Sequence, residues 1–84
     1  MSAIIKHPLS TEKSIRLMES ENKLIFVVDK KATKREIRQA IEETFKVKVT
    51  KVNTFISPKG DKRAYIQFSD ETPAIDVATQ LGLM

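Results

Sequence analysis

The residues of this chain that could do chemistry are mostly cations. Lys30, Lys31, Lys34, Arg35 and Arg38 crowd into one short stretch, with Glu36 its only acidic interruption. Thr33-Lys34-Arg35-Glu36 has the pattern of a capping box, which places Lys34 and Arg35 in the first turn of a helix. There the macrodipole disfavours each cation by about 0.3–1 kcal/mol. A phosphate near the helix start would offset that cost, and could also meet any backbone N–H groups the cap leaves available. Lys34 and Arg38 are four apart and share a face opposite the apolar one, so that face could rest on a polyanion while the core stays dry. An ordinary solvated surface would carry the same residues with their charges in water, and the cluster alone does not decide between the two.

A second group, Lys59, Lys62 and Arg63, surrounds Gly60 and lies close in sequence to Asn53 and Thr54, whose side chains can bond phosphate or ribose oxygens. A thin basic turn suits entry into an RNA groove, although such turns also serve only solubility. Tyr65 is the one aromatic expected on a polar face, which gives little support to base stacking and favours recognition by shape and phosphate. Catalytic material is scarce: one histidine, no cysteine, no glycine-rich phosphate loop and no ligand cluster at metal spacing. His7, beside Pro8, reads as a hydrogen-bonding anchor or a plain surface residue, and Glu42-Glu43 as neighbours pointing apart on a helix. No catalytic residue, metal site, cofactor or small-molecule substrate is expected. A hydrolase built on His7 and Glu12 would need those two side chains to converge.

The elements that must position these groups follow from periodicity. Thr11 is a plausible N-cap for a short helix through Ser20, with Ile15 and Met18 on one face. Lys23 to Asp29 encloses five consecutive apolar residues and reads as a central strand covered on both faces. A helix follows Thr33 and buries Ile37, Ile41 and Phe45. From Val47 to Ile56 the alternation changes phase, so a bulge near Thr50 or Lys51 would return Val52, Thr54 and Ile56 to the face of Val49. Turn residues Ser57 to Asp61 and the alternating run Arg63 to Phe68 complete a hairpin. Thr72 as N-cap and Pro73 as first helical residue would open a last helix with Ile75, Ala78 and Leu81 inward, closed by Gly82, with Leu83 packing back. Ala3 to Lys6 could add an edge strand ended by Pro8. The expected class is α+β, β-α-β-α-β-β-α, with a mostly antiparallel sheet.

Composition bounds the rest. Eighty-four residues suit one domain, 1–84, with a modest core. The absence of cysteine fits a reducing cytoplasm, and the longest apolar run, Leu24 to Val28, is far too short to cross a bilayer, so no membrane insertion is expected. Net charge is +4, yet all fifteen Lys and Arg precede Ser69, where they face eight acids, while Asp70, Glu71 and Asp76 are the only charges beyond it. One part of the surface should attract polyanions and the C-terminal helix should face elsewhere.

Several pieces in order then resemble a known family along almost the whole chain: Lys6-His-Pro-Leu-Ser-Thr-Glu-Lys13, the strand Lys23 to Val28, Ala32-Thr-Lys-Arg-Glu-Ile37, Phe45-Lys-Val-Lys-Val49, Val52-Asn-Thr54 and Lys59-Gly-Asp-Lys-Arg-Ala-Tyr65. The chain is similar to the universal large-subunit ribosomal protein numbered twenty-three, in its short archaeal form. The resemblance implies a scaffold on large-subunit ribosomal RNA at the outer rim of the polypeptide exit tunnel. It implies as partners the ribosomal protein numbered twenty-nine and the signal recognition particle. Carried over by position, His7, Thr11, Lys13, Lys34, Asn53, Thr54, Lys59, Lys62 and Arg63 would face RNA, joined by Lys30, Lys31, Arg35 and Arg38 from the charge cluster. Glu12 matches an acidic position that faces a docked chaperone in bacterial relatives. Those relatives carry a long basic extension in the hairpin, whereas this chain turns within Ser57 to Asp61, which argues against direct contact with a nascent chain inside the tunnel.

Overall fold

Three helices and four strands alternate along the chain: β1 (Ile5–Pro8), α1 (Glu12–Glu21), β2 (Lys23–Val28), α2 (Lys34–Phe45), β3 (Val49–Ile56), β4 (Lys62–Phe68) and α3 (Ala74–Gln80). A computed structural model describes residues 4–82. The strands form one antiparallel sheet in the order β1-β2-β4-β3. The α+β class and the element order are those expected from the sequence.

The expected caps at Thr11 and Thr33 are present. Thr11 accepts from the Ser14 N–H, and Ser14 Oγ in turn takes the Thr11 N–H, a reciprocal box that also buries Ser14. Thr33 and Glu36 do the same for α2. The β3 register slips between Val49 and Lys51, the bulge that the change of phase required. Its consequence is that Val49 and Val52 both reach the core.

All three helices cover the same face of the sheet. Leu24, Phe26 and Val28 of β2, Ala64, Ile66 and Phe68 of β4, and Val49 and Val52 of β3 form one cluster with Met18, Ile37, Ala40, Ile41, Ala74, Val77 and Ala78 from the helices. Phe45 is half-buried against it, its ring 6.3 Å from that of Phe26. β2 is covered on both faces, as its unbroken apolar run required, although helices supply only one of the two covers. Ile25 and Val27 point the other way and are still only 4% and 7% exposed. On that helix-free face they lie beside the side chains of Tyr65 and Arg63 across the β2–β4 ladder, and Val27 also beside His7.

Other expectations need correction. The first strand begins at Ile5 and includes Pro8, which suits an edge position; Ala3 and Leu83 lie outside the described residues. Ile15 is exposed because the buried stripe of α1 runs through Ser14 and Met18. Ile56 keeps the inward phase yet is 59% exposed, since it ends the edge strand where the helical layer has run out. In α3 the buried face is Ala74, Val77 and Ala78, leaving Ile75 exposed, and the helix is capped by Pro73 with no side-chain bond of its own.

The reason for that last difference is Asn22. It ends α1 in the left-handed conformation, φ 56°. Its amide Nδ2 donates toward the carbonyls of Phe68 (3.3 Å), Ser69 (3.2 Å) and Thr72 (3.0 Å), while its Oδ1 accepts the Ala74 N–H at 2.6 Å. A residue fifty positions away thus supplies the cap that Thr72 was expected to give, and ties α1 to the β4–α3 junction.

Candidate nucleic-acid interface

Because side chains alternate along a strand, the cations predicted from sequence fall on two sides of the sheet. On the helix side, Lys34, Arg35 and Arg38 of α2 meet Thr50, Lys51 and Val52 of β3 around an open cleft of about 410 Å³. Lys34, Arg35 and Lys51 are exposed, and among the described residues they take part in no ion pair. Arg38 is more constrained: its guanidinium donates to the Val49 carbonyl at 2.6 Å and lies 3.9 Å from Glu42. Glu42 in turn accepts the Val49 N–H, so this pair fastens the end of α2 to the start of β3. Four cations around one cleft, two of them in the first turn of a helix, make a site that favours anionic oxygen.

The hairpin cations join this side in part. Lys62 Nζ reaches back to the Ala32 carbonyl at 2.6 Å and the Lys30 carbonyl at 3.5 Å. Lys30 Nζ stands beside Gly60, 3.9 Å from where a Cβ on that glycine would lie. Gly60 itself has φ +91°, a conformation that favours glycine in the turn. The two sequence clusters are thus adjacent, with Lys30, Lys31 and Lys59 exposed around the seam and Lys62 holding it closed. The turn is stiffened from within, as Ser57 Oγ donates to Asp61 at 2.6 Å and Arg63 Nε donates to it at 2.9 Å. Those bonds, the serine hydroxyl's first, hold the Asp61 carboxyl down to about 2 from its ordinary 3.8.

The other predicted residues sit on the helix-free face or its border. His7 lies opposite Val27, and Asn53 opposite Tyr65, both exposed. Thr54, its neighbour, pairs with the core residue Ala64 and turns toward the helix side, so the two do not act together. Lys13 of α1 places its ammonium 5.6 Å from the centre of the Tyr65 ring, within cation–π range. Thr11 is exposed but its oxygen is already engaged in the cap. Glu12 is among the most exposed side chains and pairs with Arg16 at 2.9 Å, turned to solvent and engaged apart from His7, whose Nδ1 lies 3.3 Å from the Pro8 carbonyl.

Sequence reasoning missed Thr50, Lys51 and Phe55. The first two line the cleft because the bulge returns β3 to register there, and Phe55 follows from Asn53 by simple alternation. Among the described residues no group of His, Asp and Glu could hold a metal ion, and no helix is long and apolar enough to cross a membrane. The apolar pocket between α1, β2 and α3 offers only about 10 Å³, against the several hundred cubic ångströms, roughly 300–1,000, that small-molecule sites occupy.

A model of the ribosomal protein L23 family matches residues 3–77. The large ribosomal subunit protein uL23 of Methanococcus aeolicus is 50% identical over 80 residues, covering 95% of this chain and 93% of its own. Its counterparts in Methanococcus vannielii and Methanococcus maripaludis are each 49% identical over the same shares. The chain therefore belongs to the ribosomal protein L23 family, in its short archaeal form.

Proposed function

We propose that this chain acts as one RNA-binding domain that docks on large-subunit ribosomal RNA at the outer rim of the polypeptide exit tunnel and there helps form a landing surface for nascent-chain factors. Family membership makes it a structural constituent of the large ribosomal subunit in the cytoplasm, associated with ribosomal RNA, and not an enzyme. The finer reading rests above all on one observation, the cleft where Lys34, Arg35, Arg38 and Lys51 converge. Cations around an open groove, with Lys34, Arg35 and Lys51 in none of the ion pairs among the described residues, suit a phosphodiester backbone and read no linear sequence. Lys30, Lys31 and Lys59 extend that positive rim, and His7, Thr11, Lys13, Asn53 and Arg63 contact RNA from the other side of the sheet. Thr54 and Lys62 serve mainly to shape the helix-side surface.

Protein partners take the remaining surface. Glu12 on α1 and the cation-free α3 contribute nothing to the lining of the cleft and would meet the ribosomal protein numbered twenty-nine, the signal recognition particle or a chaperone. The test is binding of the full chain to a tunnel-exit fragment of large-subunit RNA, beside a shape-scrambled RNA of equal length, across salt. Preference for the native fragment, with affinity falling as salt rises, is the expected result. Equal binding to both would reduce the interface to a merely basic surface and overturn the docking claim.

A further inference from the structure

The helix-free face of the sheet carries an aromatic pair that the positive cleft does not need. Phe55 of β3 and Tyr65 of β4 pack edge to face, with ring centres 5.1 Å apart and planes at 75°. They are diagonal neighbours, since Asn53 is the residue directly opposite Tyr65 and Arg63 the one opposite Phe55. Phe55 remains 39% exposed although it is one of the largest apolar side chains in the molecule. A phenylalanine left partly to water is unfavourable by roughly the transfer energy of its exposed area, so its position asks for an occupant.

The surroundings say what that occupant is. Lys13 stands over the Tyr65 ring at 5.6 Å, Arg63 flanks Phe55, Asn53 offers an amide, and His7 lies on the same side of the sheet. The charges nearest the two rings are the cations of Lys13 and Arg63, the latter also held by Asp61 at 2.9 Å. An apolar protein partner would leave those charges desolvated, and an acidic peptide would leave the ring faces unused. An unpaired nucleotide satisfies both demands, because its base has a π-face for the aromatic ring and its phosphates meet the cations. We propose that Phe55 and Tyr65 form a stacking platform for one unpaired base of RNA, with Lys13 and Arg63 on the flanking phosphates and Asn53 placed for the base edge or ribose. This rests on the RNA-docking reading above and adds to it a contact that recognises single-stranded RNA rather than duplex shape.

The chain offers its own reporter, for Tyr65 is its only tyrosine and it has no tryptophan. The full-length protein would be titrated with an oligoadenylate of eight nucleotides and with an abasic phosphodiester strand of the same length and charge, following tyrosine fluorescence and affinity together. Stacking predicts quenching by the oligoadenylate alone and about tenfold tighter binding of it, the lower end of what one stacked base contributes. Phe55→Leu, which keeps apolar volume and so should fold, would bring the two affinities together, while Lys34→Glu would weaken both alike. Equal binding of both strands without quenching would overturn the platform, leave the phosphate-docking reading standing and point to a protein as the cover for Phe55. Binding of neither strand would overturn the platform and the RNA reading together.

Discussion

On the helix side of the sheet, Lys34, Arg35 and Lys51 stand exposed around a cleft, whereas on the open side Lys13 lies over an aromatic ring and Arg63 is paired with Asp61. The first arrangement keeps charges available and says little about geometry. The second commits its cations to partners within the chain and surrounds them with rings and an amide. Cations of the same type therefore support two kinds of recognition, phosphate density on one side and nucleotide shape on the other. What distinguishes them is the neighbour that each strand's alternation places beside the charge.

The largest effect should come from removing the helix-side field. Lys34→Glu with Lys51→Glu, both exposed and outside the Arg38–Glu42 fastening, should weaken RNA about a hundredfold at low salt. The slope of log K against log salt should become shallower by about two, equally for RNAs of one shape and different sequence. Filter binding across salt measures this, and a sequence-dependent loss would break the contrast between the two faces.

Next is the tie that holds the helical layer in place. Asn22→Gly keeps the left-handed backbone but removes every bond of the side chain, and should destabilise the fold by about 2 kcal/mol in urea titration. A loss of a few tenths would mean that core packing alone positions α3. The hairpin sharpens the comparison further. Lys62→Met should lower stability by about 1 kcal/mol with little change in RNA affinity, whereas Lys59→Met should do the reverse.

Acid titration tests the open-side ion pair. Because the folded Asp61 carboxyl sits near 2, below its unfolded value of 3.8, its contribution is present in full above about pH 4 and disappears as pH falls toward 2. Asp61→Asn should remove that part of the acid dependence; an unchanged profile would show that the turn holds without it. Smallest of all, Glu12→Lys should leave RNA affinity and stability nearly unchanged, since its pair with Arg16 is fully solvated. Binding of a docking factor should fall, and equal loss of both activities would put Glu12 on the RNA side.

Much of this protein could be read from residue order. The N-cap at Thr11, the capping box at Thr33, the apolar run of β2, the break of phase before Val52 and the turn at Ser57 to Asp61 are local signals, each set by bonds within a few residues, and each appears where the pattern put it. The positive stretch from Lys30 to Arg38 is equally local. Partnership across the sheet is different, because it depends on strand order and on which face the helices cover. Only the fold could bring Lys51 to Lys34, seat Phe55 against Tyr65, turn Asn53 and Thr54 apart, and let Asn22 cap a helix fifty residues downstream. Sequence determines the period of each element, but burial and contact are properties of the layers those elements build together.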